Sequence, residues 1–500
     1  MKANNESSSS VNETLIRDVV AEVLGRLGRA GSGAPTKTTA PVIAAAPAPK
    51  VSGTSGRRFG VFQGAPEACQ AAGDAFAQLQ AKGVEARSKV VEIVKSMAGA
   101  NAVEWGRIEL EETKIGRLDH KIEKLQIIKL VPGVEWLRPD ARSGDHGITL
   151  EEYTPFGVVG AVTPSTHSIP TLSGNVVNMV AAGNSVVFNA HPSASRCAAM
   201  AVRAYNEAIF REIGIENLIT IIEEPTFDSF KAMCASEQVR LLCVTGGPGV
   251  VKAAMQTGKR AICAGPGNPP VLVDDTADLD RAAREIVKGA AYDNNLLCIG
   301  EKEVFVLDVV ADQLMTALER NGAFRLNPGQ FEKLTKEVFT FKEGHGAGCP
   351  EPVLNRQLVG KDATHLARLA GAQAGDKTQL LFAETDAGHV FVLEEQMMPV
   401  LPIVRVKSVQ EGVQAAKKAE HNYRHTAIIH SHNVSNMTAM GRALDTTLFV
   451  KNGACMAGLG LGGEGYLSYS IATPTGEGIT NPRTFTRVRR CVMVDNLRIY

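Results

Sequence analysis

Val239-Arg-Leu-Leu-Cys-Val-Thr245 runs directly into Gly246-Gly247-Pro248-Gly249, and that turn opens onto Val250-Val-Lys-Ala-Ala-Met255. The first segment is apolar and β-branched like a buried strand. The second has the backbone freedom of glycine, and the third reads as the start of a helix. The same unit recurs upstream. Phe156-Gly-Val-Val-Gly-Ala-Val162 reads as a strand running into Thr163-Pro164, Asn184-Ser-Val-Val-Phe188 as a buried strand after a helical stretch, and Leu218-Ile-Thr-Ile-Ile222 as another. Strands spaced by helical segments make an α/β fold. They predict a Rossmann-like cofactor domain over 58–270. A second α/β domain over 271–460 opens with Val271-Leu-Val273 and an Asp-rich turn.

The glycine turn carries a functional expectation of its own. Glycines let the backbone approach a pyrophosphate, while the helix N-terminus behind them offers N–H donors and a partial positive charge. Thr245, Gly246, Gly247 and Gly249 are therefore candidate cofactor-binding residues. The spacing departs from G-x-G-x-x-G, and a tight strand-to-helix connection with no ligand is the competing reading.

Composition bounds the rest. Five hundred residues exceed one typical domain, and 44% hydrophobic content fills large cores. With 53 basic and 53 acidic residues there is no net field to attract nucleic acid or an anionic membrane. Nine cysteines without regular spacing suit a reducing compartment. No apolar run reaches the roughly 18 residues of a membrane helix, and no signal-peptide pattern opens the chain, so the expectation is a protein that stays inside the cell. Histidines 421, 425, 430 and 432 fall across a helix end and a strand rather than on one ligand face, so no metal site is expected.

Residues 1–57 are a different material. Asn12 can cap a helix in which Leu15, Ile16, Val19, Val20, Val23, Leu24 and Leu27 form one apolar stripe, with Gly28 as its stop. Residues 29–57 are rich in Ala, Pro, Gly, Ser and Thr and read as a linker. A helix this short is marginal alone in water, so the stripe must bury against something: its own catalytic body, the same helix of another subunit, or a separate partner.

Asn294-Asn295-Leu296-Leu297-Cys298, Thr163-Pro164-Ser165-Thr166, the glycine turn, Gly265-Pro266-Gly267-Asn268-Pro269 and Pro482-Arg-Thr-Phe-Thr486 stand in an order and spacing that resembles the CoA-acylating aldehyde dehydrogenases of bacterial microcompartments. The resemblance extends from about Phe59 to Tyr500. It implies an aldehyde dehydrogenase-like fold with an oligomerisation hairpin near 133–152 and a C-terminal return and tail over 461–500. It implies Cys298 as the nucleophile; a free thiol is a few per cent ionised at neutral pH, enough to attack an aldehyde. In the wider superfamily a glutamate activates the deacylating water where this chain has Ala264, and a methyl does no proton chemistry. The implied reaction is therefore oxidation of acetaldehyde or propionaldehyde with NAD and coenzyme A, without hydrolysis.

The resemblance also assigns cofactor contacts to Thr163, Pro164, Ser165 and Gly265, with Pro225 and Thr226 near the adenine and Glu395 on the nicotinamide ribose. His191 is the polar group with most reach at the adenine ribose, and the guess there is NAD. Relatives usually read Thr-Pro-Ser-Thr-Asn-Pro where this chain has Thr163-Pro164-Ser165-Thr166-His167-Ser168. His167 or Thr166 is then expected to serve the oxyanion with the Cys298 N–H. Residues 12–28 become an encapsulation peptide for a shell or cargo protein, and the protein a homo-oligomer, dimer or tetramer, in the microcompartment lumen within the cytoplasm. Hydrolytic dehydrogenase and non-catalytic scaffold are the rival readings.

Overall fold

A computed structural model describes residues 58–342 and 351–497. The expected N-terminal helix and linker lie outside the described residues. Two parallel sheets form the body. The first has six strands in the spatial order Val61–Phe62, Ile219–Ile222, Ser185–Ala190, Val158–Thr163, Val239–Thr245 and Ala261–Ala264. Every neighbouring pair is parallel, as strand–helix–strand connections require. From Val158–Thr163 the chain builds outward to one side and then returns to the other through Val239–Thr245. The strand order therefore reverses between these two, and the crevice at their carboxyl ends is where ligands bind in such sheets.

The second sheet has seven parallel strands, in the order Ala323–Arg325, Leu380–Thr385, Val400–Val406, Glu303–Leu307, Pro270–Val273, Thr426–His430 and Leu448–Lys451. The strand expected from Phe156 begins at Val158, and the reason is a side chain. Asn184 Oδ1 accepts the N–H groups of Phe156 and Gly157 at 2.8 and 3.1 Å, so these donors never enter the ladder.

Helix Ser168–Ala181, directly after the Thr163–His167 segment, is buried over its whole length. It carries no charged residue and encloses Ser168, Thr171, Ser173, Asn175 and Asn178 among apolar side chains, as a core helix does. Against it lies Ala65–Ala100, a 36-residue helix bent at Gly83, whose φ of 72° leaves the helical region. Alanines 68, 72 and 75 on its buried face are small enough for close approach.

A third, antiparallel sheet stands apart from these layers. Hairpin strands Asp140–Gly144 and Gly147–Pro155 are joined by Thr486–Val494, which pairs with Gly147–Pro155 along its whole length. Val488, Val492 and Val494 on the added strand are 62%, 55% and 63% exposed, which is unusual for three valines on one strand face. Among the described residues no helix is long and apolar enough to cross a membrane.

Candidate active site

The turn that delivers Cys298 is built from three consecutive left-handed residues, Asp293, Asn294 and Asn295, with φ of 49°, 55° and 62°. Side chains reach this region only at a cost, least for Asn and Asp, so the surroundings must hold it there. Each residue is pinned. Asp293 accepts the Arg117 N–H at 2.7 Å and pairs with Lys124, and its own N–H donates to His120 Nδ1 at 2.9 Å. Asn294 Nδ2 donates to Gly360 O and Asp362 Oδ1, both at 2.9 Å. Asn295 Nδ2 donates to Ala290 O at 2.9 Å and Glu301 O at 2.8 Å.

Cys298 is half-buried. Burial, and after it the Glu395 carboxylate, pushes its thiol up to about 12, against an opposing pull from Lys302. The resting group is therefore the neutral thiol, which differs from the partly ionised free thiol expected from sequence. Desolvation is the reason: the sulfur packs against the core that also holds Leu297 and Ile299.

Gly267 lies against this cysteine, and a Cβ there would stand 2.5 Å from the Cys298 carbonyl oxygen and 2.9 Å from His425 Cγ. The Gly267 N–H donates to Glu395. Next to it, Asn268 Nδ2 donates to Val392 O at 3.0 Å and Ala419 O at 2.9 Å, anchoring the Gly265–Pro269 segment between the two sheets. His425 is buried, with Nδ1 on Thr426 Oγ1 at 2.9 Å and Nε2 unpartnered. Burial, and then Lys302, lowers its pKa to about 4, so the ring is neutral at pH 7. Ala264 ends its strand 5% exposed, with its carbonyl accepting the Gly246 N–H at 3.2 Å.

Behind the cysteine, Glu301 is fully buried and accepts the Cys455 N–H at 2.9 Å. Burial raises its carboxyl to about 7. This ties the Cys298 segment to the loop beginning at Cys455, whose thiol is itself fully buried.

The Thr163–His167 segment shares a support with the nucleophile turn. Lys121 and Lys124 donate to Thr166 O at 3.4 and 3.5 Å, while Lys124 also pairs with Asp293 and Lys121 with Glu109 at 2.9 Å. Glu109 in turn accepts the Ile169 N–H at 3.0 Å, at the start of the buried helix. His167 is 4% exposed, with Nδ1 2.8 Å from Thr166 Oγ1. Burial, then Lys124, holds its pKa well below the ordinary value, leaving a neutral imidazole.

At the switch point stand Thr163 and Thr245. The Thr163 hydroxyl is buried without a partner, while that of Thr245 is shared with Ser470 at 2.8 Å. Gly247 and Gly249 are exposed, and a Cβ on either would meet nothing within 4 Å; Gly246 has no such room, since a Cβ would lie 2.8 Å from Val250 Cγ1. Helix Pro248–Met255 begins immediately there. Gly265 lies against Pro474, where a Cβ would come within 2.9 Å. Pro164 and Ser165 are half-buried beside them. Further along the sheet, Pro225 is buried, Thr226 caps helix Phe227–Ala235 through the Ser229 N–H at 3.0 Å, and exposed His191 accepts the Ser193 N–H at 3.2 Å.

Sequence reading missed Lys302, Glu301, His425 and Lys124 as parts of this site. The first two carried a signal, because Glu301-Lys302-Glu303 is a charged triplet between the Cys298–Gly300 stretch and the apolar residues Val304–Leu307. Lys124 carried none, since it sits in a helix that reads as solvent-facing and is buried only by tertiary packing. Among the described residues no group of three or more His, Cys, Asp or Glu side chains is placed to hold a metal ion.

Comparison with known proteins gives consistent matches. Residues 63–331 match the model of the aldehyde dehydrogenase family. The acetylating acetaldehyde dehydrogenase EutE of Salmonella typhimurium is 44% identical over 443 residues, 88% of this chain and 94% of that one. A propionaldehyde dehydrogenase of Rhodopseudomonas palustris, solved with CoA and an acylated cysteine, superposes with a TM-score of 0.83 at 41% identity, covering 87% and 98% of the two chains. A propionaldehyde dehydrogenase from the fucose utilisation microcompartment of Clostridium phytofermentans gives 0.84 at 42%, covering 88% and 100%.

Proposed function

Because this chain belongs to the aldehyde dehydrogenase family, we propose that it converts acetaldehyde or propionaldehyde, NAD and coenzyme A into the acyl-CoA and NADH through a thioester on Cys298. The observation that carries the CoA-dependent form is Ala264. It puts a methyl at the end of the strand beside the glycine turn, where relatives that hydrolyse the thioester keep a carboxylate.

The Cys298 sulfur bonds to the aldehyde carbon as its thiol proton passes to water. The resulting alkoxide takes hydrogen bonds from the Cys298 N–H and from the neutral His167 or Thr166 side chain, donors that act where charge develops. When bound, NAD would supply the acceptor for the hydride that leaves this carbon. The open glycine turn, the helix N-terminus behind it and the unpartnered Thr163 hydroxyl suit a dinucleotide. Glu395 would hold its nicotinamide ribose; Pro164, Ser165 and Gly265 line the same crevice, with Pro225, Thr226 and His191 toward the adenine. After NADH departs, the CoA sulfur attacks the thioester carbon and Cys298 leaves as the thiolate. His425, neutral with a free Nε2 across Gly267 from the cysteine, is the group best suited to take the CoA proton.

The fold is read as a cofactor domain over 58–270, a catalytic domain over 271–460 and a C-terminal return. The exposed valines of the arm support assembly into a homo-oligomer. Residues 12–28 are read as a peptide that docks on a microcompartment shell or cargo protein and carries the enzyme into the lumen.

The test is NADH formation from each aldehyde with and without CoA, with product identified by mass spectrometry. Turnover that requires CoA and is abolished in Cys298→Ala, with NADH binding retained and Cys455→Ala mild, is expected. Steady turnover to free acid without CoA would establish the hydrolytic reading instead, and no NADH under any condition the scaffold reading.

A further inference from the structure

Glu301, Lys302 and Glu303 stand just beyond Ile299 and Gly300, which follow Cys298, and all three side chains are fully buried. Burying consecutive charges is costly unless they are used. The use of Lys302 is plain in the geometry. Its Nζ donates to the Asn295 carbonyl at 2.8 Å, the Leu297 carbonyl at 3.2 Å and the Asn295 side-chain oxygen. An ammonium has three donors, and here all three go to the turn that carries Cys298. The titratable groups around it are Glu395, Cys298, Cys455, Glu303, Glu301 and His425. Burial lowers the Lys302 pKa, opposed first by Glu395. On the sulfur, Lys302 favours the thiolate against burial and Glu395.

We propose that Lys302 is a positioning residue of the thioester chemistry, clamping the Asn295–Leu297 turn and fixing a buried positive charge beside the Cys298 sulfur. This rests on the reading of Cys298 as nucleophile. The sulfur gains negative charge as it attacks the aldehyde and again as it leaves to CoA, and a fixed ammonium favours both moments. A role in packing alone would require neither the charge nor its placement.

The experiment compares wild type, Lys302→Met, Lys302→Gln and Lys302→Arg in the full chain. It reads iodoacetamide alkylation of the Cys298 peptide from pH 6 to 9 by mass spectrometry, with NADH binding and melting temperature as checks on folding. The Met and Gln variants are expected to alkylate about tenfold more slowly at pH 8, the effect of one unit in thiol pKa, while Arg stays within about threefold of wild type. A folded Met or Gln variant that alkylates like wild type overturns the proposal. Should neither neutral variant fold, Glu395→Gln carries the test: with the opposing anion removed and Lys302 in place the rate must rise, and an unchanged rate overturns the proposal. Wild type that still turns over after Cys298 is alkylated overturns the nucleophile assignment instead, an outcome the variants cannot mimic.

Discussion

At the scale of the residue, Ala264 bears on the proposed fate of the thioester and Glu301 on stability. Ala264 leaves no base for water, so Ala264→Glu is expected to introduce CoA-independent release of acid, read as free carboxylate in CoA-free assays. A folded, NAD-binding variant without that product would mean water is excluded by something other than the missing carboxylate. Glu301 gives a pH-dependent prediction. Its carboxyl stands near 7 in the folded protein against 4.5 ordinarily, so the folded state holds the extra proton between those values, and stability falls as pH rises through them. Glu301→Gln removes that penalty while keeping an acceptor for the Cys455 N–H. Its unfolding free energy, from urea denaturation, should gain on wild type between pH 5 and pH 8 by up to about 3 kcal/mol. Cys298 stands out in the sequence because its neighbours resemble those of the family's reactive cysteine. The raised thiol pKa does not, because burial comes from residues far along the chain.

At the scale of the element, the nucleophile turn is held by contacts from three separate segments. Lys124 and Asp293 are both fully buried. Burial works against the Asp293 carboxylate, but Lys124, Lys121 and the Arg117 N–H hold it below its ordinary range. Removing one partner strands the other charge, at about 3–5 kcal/mol. Lys124→Met and Asp293→Asn should each lose stability on that order in urea denaturation, and the double variant should lose clearly less than their sum. Additive losses would mean the two do not act as a pair. Strand Val239–Thr245 was legible to the residue, because its apolar run ends in a glycine turn. The start of Val158–Thr163 was misplaced, because a side chain 26 residues downstream of it, Asn184, captures the preceding N–H groups. No periodicity records such a competition.

At the scale of the whole molecule, the alternation of strands and helices was enough to predict the α/β class, but the reversal of strand order that creates the crevice was not, since it depends on which strands choose to pair. Residues 1–57 are outside the described residues, and on their proposed reading as a docking peptide and linker their removal is expected to leave CoA-dependent turnover within about twofold of wild type while abolishing co-purification with shell proteins; Leu24→Glu should reproduce the second effect alone. Loss of turnover on truncation would assign the segment to the catalytic body. The antiparallel arm has a consequence for synthesis. Thr486–Val494 completes a sheet whose other two strands end at Pro155, and Asn184, directly before the inner strand Ser185–Ala190 of the first sheet, donates to the Phe485 carbonyl at 2.9 Å. Domains fold as they leave the ribosome, N-terminal parts first, yet this sheet must wait with one edge open until residue 494 has been made. A chain cut short by a premature stop can therefore build most of its body but never finish its arm, and if the arm is the assembly surface proposed above, such unfinished subunits are left out of the oligomer.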